Sequence, residues 1–317
     1  MHPAQKLLQL LKQNISSVMV GKDNVVELIL NAILCGGHVL IEDVPGVGKT
    51  TIATAFAKSL ALSYKRIQFT PDVMPSDVTG YTAVDFKTGE MCFKEGAVFA
   101  QMVLADEINR TSPKTQSSLL EVMQEGQVTV DGITRKLPQP FVVLATQNPV
   151  DFVGTYPLPE AQLDRFFMRV SIGYPTAEDE ANILGMYMTG ENKLEMLNPV
   201  CSCDDLLRLM QMVGEVKVSK EIRTYITEIA QSSRVSKMFT RGISTRGALA
   251  LMRASQASAL LAGRDYVNPD DVKNMILPVL SHRVILSPEA RLGAKGITSE
   301  KALSKLVASV QVPVRVK

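Results

Sequence analysis

The stretch HVLIEDVPGVGKTT, residues 38–51, decides the fold of this chain. It runs from a short apolar segment, His38–Ile41, into a glycine-rich turn that ends at Lys49 and Thr50. Glycines in such a turn let consecutive backbone N–H groups point inward, where they can hold phosphate oxygens at the start of a helix. A lysine then reaches the terminal phosphates, and the hydroxyl after it binds Mg²⁺. The pattern predicts a P-loop, with nucleotide contacts from Pro45, Gly46, Val47, Gly48, Lys49, Thr50 and Thr51.

One position departs from the usual P-loop pattern. That pattern begins with glycine, and here the position is occupied by Asp43. The half of the turn that would contact phosphate is intact and stands between a strand pattern and a helix pattern. This context favours a P-loop over a glycine-rich turn without function.

Five short apolar runs predict the strands of one sheet. Most are apolar throughout rather than alternating, which is typical of parallel strands covered by helices on both faces. Helical patterns separate them, notably Thr51–Leu62 and Pro113–Glu125. We therefore expect an α/β fold with a doubly wound, mostly parallel five-stranded sheet. The strand runs are His38–Ile41, Ile67–Phe69, Met102–Ala105, Phe141–Thr146 and Arg169–Ile172.

Two further segments predict hairpins inserted into this alternation. Val128–Val130 and Ile133–Lys136 flank Asp131-Gly132, a strong two-residue turn signal. The segment Gly80–Gly96 has strand-forming residues on both sides of a central turn.

The alternation of strand and helix patterns ends after Tyr174-Pro175. Thr176 with Asp179 predicts a helix start, and the remaining sequence is helical in pattern. A second clear start is Asn268-Pro269, followed by two acids. We expect two domains: an α/β core at residues 1–175 and a smaller all-α lid domain at residues 176–317.

Composition limits the class of protein. The 317 residues are 46% apolar and 21% charged, with a formal net charge of +2 and four scattered cysteines. No basic block indicates nucleic-acid binding, and no run of eighteen apolar residues indicates membrane insertion. The expectation is a soluble cytoplasmic protein in a reducing compartment.

An apolar strand run ends in two acids, Asp106 and Glu107, about fifty residues after the P-loop. Asp106 would hold Mg²⁺, and Glu107 would polarise the attacking water as a general base. An isolated run of this kind often marks a strand that ends at the surface. After a P-loop, it indicates a nucleotide-hydrolysing site.

Three other polar residues are candidates with weaker signals. Asn148 follows the fourth strand run and could orient water or contact the terminal phosphate, but an Asn before Pro is also ordinary turn chemistry. Arg165 and Arg246 could stabilise charge on a transferring phosphoryl group. Their patterns alone favour surface or ion-pair residues, and nothing in the sequence pattern promotes them to a catalytic role.

The sequence resembles the MoxR family of AAA+ ATPases over nearly its whole length. Asp43 is ordinary in that family. The most specific stretches are LIEDVPGVGKT at residues 40–50, ADEINRTSPKTQSSLLEVMQEGQVTVDG at 105–132, ATQNP at 145–149 and LPEAQLDRFF at 158–167.

The resemblance implies roles for several residues whose side-chain chemistry alone does not assign them one. Asn148 falls on the sensor-1 position, Arg165 on the arginine finger that acts on a neighbouring subunit's nucleotide, and Arg246 on sensor 2 in the lid. Val20 and Gly21 fall beside the adenine. The two hairpins correspond to a helix-2 insert and a pre-sensor-1 hairpin, which imply the branch shared with magnesium chelatases and MCM helicases.

The resemblance also implies partners and cofactors. ATP and Mg²⁺ are the expected cofactors, and an arginine finger implies a ring homo-oligomer, most commonly a hexamer. Such proteins resemble chaperones that remodel or activate partners, often proteins with a von Willebrand factor A domain. Two alternatives stay open: a nucleotide-gated assembly switch with little turnover, and a DNA-associated motor.

Overall fold

The computed structural model describes residues 3–148, 154–188, 193–292 and 296–313. The strands, in chain order, are β1 (Val39–Glu42), β2 (Tyr64–Gln68), β3 (Tyr81–Val84), β4 (Met91–Lys94), β5 (Met102–Asp106), β6 (Gln127–Val130), β7 (Ile133–Lys136), β8 (Val142–Gln147), β9 (Met168–Val170), β10 (Phe239–Arg241) and β11 (Ile285–Leu286).

The helices surround and follow these strands. They are α1 (Pro3–Ser16), α2 (Asp23–Leu34), α3 (Lys49–Ser59), α4 (Pro75–Thr79), α5 (Pro113–Glu125), α6 (Glu160–Leu163), α7 (Ala177–Met188), α8 (Lys193–Met196), α9 (Cys203–Glu215), α10 (Lys220–Val235), α11 (Thr245–Leu261), α12 (Pro269–Leu280), α13 (Pro288–Leu292) and α14 (Ser299–Ala308), with a short 3₁₀ turn at Ile108–Arg110.

Five parallel strands form the central sheet in the order β2-β5-β8-β1-β9. The predicted doubly wound α/β fold is confirmed. Strand β2 begins at Tyr64, three residues before the predicted run at Ile67. It lies at the edge of the sheet, none of its side chains is buried, and its first half contains Lys65 and Arg66, so there is no continuous apolar pattern to find.

Successive residues of the central strands enter opposite cores, as the two-residue period of a strand requires. Val39 and Ile41 pack on one face with helices α1 to α3 and the lid, whereas Leu40 packs on the other face with α5 and the hairpin segments. Strands β5 and β8 divide in the same way. Burial on both faces explains why these strands read as unbroken apolar runs.

Both predicted hairpins are present as antiparallel pairs, β3 with β4 and β6 with β7. Asp131 and Gly132 have φ angles of 52° and 76°, the two left-handed conformations that a tight hairpin turn needs. The hairpins meet through Arg135, whose guanidinium lies 3.9 Å from the centre of the Phe93 ring.

After β9 the chain is mainly helical, from α7 to α14. One feature differs from the predicted all-α lid: β10 and β11 form a short antiparallel pair. These strands have three and two residues, which is too short for a periodic signal in the sequence. Within the described ranges, the helices are all too short or too polar to cross a membrane.

Candidate nucleotide-binding site

The glycine-rich turn adopts the backbone that phosphate binding requires. Gly46 and Gly48 have φ angles of 86° and 93°, in the left-handed region that favours glycine. Gly48 is the N-cap of α3 and provides no side-chain cap, so the first N–H groups of α3 face the turn without one. Lys49 lies beside them and donates from Nζ to the carbonyl of Asp43 at 2.6 Å.

Asp43 fixes the turn to the end of the core. Its Oδ2 accepts hydrogen bonds from the backbone N–H groups of Ile172 and Gly173, both at 2.7 Å, and from Ser171 Oγ at 3.0 Å. Burial alone would raise the pKa of this carboxyl, but these hydrogen bonds and one from Val44 outweigh it and lower the pKa. Asp43 is therefore an ionised anchor between the P-loop and the segment that leads to the lid.

Asp106 ends β5 as a buried carboxylate with two polar partners. Thr146 Oγ1 donates to its Oδ1 at 2.6 Å, and Arg66 Nη2 donates to its Oδ2 at 2.7 Å. Thr146 also accepts the backbone N–H of Glu107 at 2.8 Å. One threonine on β8 thus fixes the position of both acids.

Glu107 stands in a strained backbone conformation directly after the strand. Its φ and ψ are 56° and 48°, a region that costs a non-glycine residue about 1 kcal/mol or more. Gln68 Nε2 donates to its carboxylate at 2.8 Å, and Arg110 Nη1 lies 3.2 Å from the same oxygen. The turn therefore leaves this carboxylate just beyond the end of β5, where Gln68 and Arg110 hold it.

Asn148 follows β8, and β8 lies between β5 and β1 in the sheet. The residue is buried, and its carbonyl accepts from Asn109 Nδ2 at 3.3 Å. Because all three strands are parallel, Asp106, Asn148 and the P-loop emerge at the same carboxyl edge. Ligands of open α/β sheets bind at this edge. The final residue of the ATQNP motif, Pro149, lies outside the described residues.

The segment containing Val20 and Gly21 lies next to the P-loop. Met19 Cε is 3.5 Å from the position of a Cβ built on Gly48. Lys22 Nζ donates to the carbonyls of Ile172 and Tyr174, both at 2.8 Å. Ile172 is one of the residues that hold the P-loop aspartate, and Tyr174 follows them. The sequence-predicted base-binding and phosphate-binding segments are thus neighbours in space.

These residues fit a nucleoside triphosphate with a divalent cation. The observation that carries this fit is the N-terminus of α3, which has left-handed glycines and a lysine amine but no side-chain cap. Backbone N–H groups and an ammonium suit phosphate oxygens, and the hydroxyl and carboxylate oxygens of Thr50 and Asp106 are hard ligands of the type that Mg²⁺ prefers.

Arg165 and Arg246 lie at the opposite edge of the sheet. Arg165 precedes β9, and the two arginines line a cavity of about 340 Å³ together with residues 36–38, which precede β1. The P-loop follows the other end of β1, about 15 Å away at 3.3 Å per residue. Arg246 Nη1 is 4.0 Å from Asp164 Oδ2, whereas the Arg165 guanidinium has no partner among the described residues.

Sequence reasoning missed the residues that hold these groups in place. Arg66 and Gln68 approach the two acids from the edge strand β2, and Arg283 of the lid donates to Asp164 at 2.9 Å and to the Phe166 carbonyl at 2.8 Å. The only signal for Arg66 and Gln68 in the sequence was their Arg-x-Gln spacing at the end of a strand. Nothing local in the sequence links residue 283 to residue 164.

Comparisons with known proteins agree with this architecture. The sequence model of the ATPase family associated with various cellular activities (AAA) matches residues 38–168, and that of the AAA lid domain matches residues 231–305. A solved structure of a candidate ATPase from Cytophaga hutchinsonii has a TM-score of 0.91 and 36% identity, covering 98% of this chain and 96% of that one. A parallel sheet, P-loop and lid of this kind define an AAA-class ATPase.

Two curated relatives narrow the assignment. Chaperone MoxR1 of Mycobacterium tuberculosis is 39% identical, covering 94% of this chain and 80% of that protein. The uncharacterized protein YeaC of Bacillus subtilis is 49% identical, covering 99% of this chain and 97% of that protein. The chain belongs to the MoxR family of AAA+ ATPases.

Proposed function

We propose that this ATPase hydrolyses Mg·ATP at sites shared between neighbouring subunits of a ring, a homo-hexamer, and uses the energy to remodel partner proteins. The observation that carries the proposal is the division of its polar residues between two sheet edges. The P-loop, Asp106, Glu107 and Asn148 lie at the carboxyl edge, and Arg165 and Arg246 lie at the amino edge.

Each residue of the carboxyl edge has a proposed role that follows from its chemistry. Lys49 and the turn N–H groups bind phosphate, while Thr50 and Asp106 hold Mg²⁺. When bound, Mg²⁺ neutralises charge on the phosphate oxygens. Glu107 accepts a proton from the attacking water, and Asn148 orients that water.

The two arginines act on the neighbouring subunit's nucleotide. Each stands about 15 Å of sheet away from its own P-loop, which is farther than a side chain can bridge. A ring of head-to-tail contacts brings the amino edge of one copy to the carboxyl edge of the next. The guanidinium groups then meet the charge that develops on the transferred phosphoryl group.

Surface chemistry supports a protein client. Phe86, at the tip of the β3–β4 hairpin, is 98% exposed, and Met91 and Ile133 on the two hairpins are also exposed. The second hairpin carries two cations, Arg135 and Lys136. Arg135 stacks on Phe93, so one of these two cations faces the first hairpin.

We propose that the partner contains a von Willebrand factor A domain and that nucleic acid is not a substrate. We also propose a cytoplasmic location and a boundary between core and lid near residue 175.

The variant Glu107→Gln tests the assigned chemistry. It keeps the shape and hydrogen-bonding capacity of the side chain but cannot take up the proton, so steady-state ATP hydrolysis should fall about a hundredfold or more. ATP binding, measured with a fluorescent analogue, should stay close to that of the wild type. The Glu107→Gln protein with ATP bound is also the form that should retain a client, because it does not complete turnover.

Glu121→Gln is the matched control, because Glu121 is an exposed glutamate on α5. It should hydrolyse ATP at the wild-type rate. Normal turnover in Glu107→Gln would remove Glu107 from the role of base.

A further inference from the structure

Helix α7 presents a surface that the described part of the subunit leaves exposed. None of its described side chains is buried, and Leu184 and Met188 are 62% and 89% exposed. Helices of globular proteins bury an apolar stripe. Exposed apolar surface on a helix of twelve residues indicates a binding partner outside the subunit.

The large exposed apolar side chains of α7 share one face of the helix with a carboxylate. Glu180, Leu184 and Met188 are spaced at four residues, which places them along one side of the helix, and Ala181 lies beside them. We call these four residues the α7 face. It combines one carboxylate with an apolar strip, whereas Glu178 points to another side.

The α7 face begins beside the candidate nucleotide. Asp179 in the first turn of α7 lies directly against Gly21, since a Cβ built on Gly21 would be 2.1 Å from its Oδ2. Gly21 belongs to the segment that packs against the P-loop. Whatever approaches the nucleotide from a neighbouring subunit therefore also approaches α7.

Helix α11 carries a face of complementary character at the amino edge. Arg246, Leu249, Ala250 and Arg253 recur at intervals of three and four residues and line the same cavity as Arg165. We call them the α11 stripe. It has an apolar middle, with Leu249 55% exposed, between two cations.

The two cations of the stripe differ in their surroundings. Arg246 already faces Asp164 at 4.0 Å. The guanidinium of Arg253 is exposed and pairs with no acidic group in the part of the chain that the structure describes. Arg253 is therefore the cation that is available to a carboxylate from outside.

We propose that the α7 face of one subunit docks on the α11 stripe of the next copy, with Glu180 paired to Arg253 and Leu184 packed on the apolar middle. This inference rests on the proposed function, because it requires the amino edge of one copy to meet the nucleotide edge of another. The contact continues the shared nucleotide site along the lid. It couples the position of α7, which touches the Gly21 segment, to completion of the neighbour's site.

A charge-swap experiment tests the pairing. Glu180→Arg places two cations together at every interface, so assembly should weaken and the protein concentration for half-maximal ATPase should rise about tenfold or more. Arg253→Glu should do the same, and the double variant Glu180→Arg/Arg253→Glu should recover most of the wild-type behaviour. Assembly is measured by sedimentation velocity with a non-hydrolysable ATP analogue, and folding by circular dichroism.

The controls separate this contact from general charge effects and from the proposed function. Glu178→Arg makes the same change in the same turn of α7 but off the face, and should assemble like the wild type. Wild-type assembly of Glu180→Arg, or no recovery in the double variant, would overturn the docking while leaving the shared-site function intact. A wild-type protein that never assembles with nucleotide would instead defeat the proposed function.

Discussion

At the scale of single residues, the least typical position of the P-loop has a clear structural purpose. Asp43 replaces the glycine of the usual pattern and accepts three backbone N–H groups and one hydroxyl. Its carbonyl in turn accepts the amine of Lys49. The same residue thus ties the glycine-rich turn to residues 171–173 and positions the lysine.

Two histidines give the protein a predictable pH dependence. Burial lowers the pKa of His38 to about 4, partly offset by its hydrogen bond to the Met123 carbonyl. Burial and the charge of Arg283 lower the pKa of His282 to about 3. Both stay neutral in the folded state when the unfolded chain takes up protons, near the ordinary value of 6.5.

The contribution of these two histidines to the free energy of unfolding should therefore be complete above pH 6.5 and should be lost progressively as the pH decreases toward 4. Below pH 6.5, each histidine contributes a slope that approaches about 1.4 kcal/mol per pH unit. Urea unfolding at pH 7, 6 and 5 measures this slope. His38→Gln keeps an acceptor for the Val143 N–H and a donor for the Met123 carbonyl. Because the replaced side chain no longer titrates, the slope should decrease by the contribution of one histidine. An unchanged slope would contradict this account of His38.

At the scale of elements, sheet order explains why distant motifs act together. Strand β8 lies between β5 and β1, so the asparagine after β8 stands between the acids and the P-loop. The hairpins are attached to this framework rather than part of it. The Arg135–Phe93 stack joins them, and it links the insert after α4 to the hairpin after α5.

Removing the stack should loosen the first hairpin. A cation–π contact is worth about 0.5–2 kcal/mol, so Arg135→Ala should speed amide hydrogen exchange in β3 and β4 by about twofold to thirtyfold. Mass spectrometry of exchanged peptides measures this. Lys136→Ala, at the exposed neighbouring position, should leave exchange unchanged. Equal exchange in both variants would show that the hairpins are held together by other contacts.

At the scale of the whole molecule, the lid determines how the amino edge is arranged. Arg283 and His282 follow α12 and both reach the carbonyl of Phe166, and Arg283 also pairs with Asp164. These contacts hold the segment on either side of Arg165. The position of the lid and the position of Arg165 are therefore linked within one subunit.

Subunit mixing tests the action of Arg165 between copies. Arg165→Ala protein keeps its P-loop, and Lys49→Ala protein keeps its finger, so each should be nearly inactive alone. In an equal mixture, about a quarter of the interfaces combine an intact P-loop with an intact finger, because neighbours in a head-to-tail ring are drawn at random. Steady-state ATPase should rise to about that fraction of the wild-type rate.

The control replaces Lys49→Ala with the double variant Lys49→Ala/Arg165→Ala, which supplies neither group. That mixture should remain inactive. If the first mixture also stays inactive after subunit exchange has been verified, Arg165 does not act on the neighbouring nucleotide.

The sequence by itself determined the five-stranded α/β fold, both hairpins and the P-loop. These features depend on local patterns: unbroken apolar runs, a two-residue turn and a glycine-rich turn before a helix. Tertiary structure alone decided which polar residues meet. Asp43 contacts residues 171–173, Arg66 contacts Asp106, and Arg283 contacts Asp164, over 40 to 130 positions of sequence. Such pairs leave no periodic signal, because they are set by strand order and by the packing of the lid on the core.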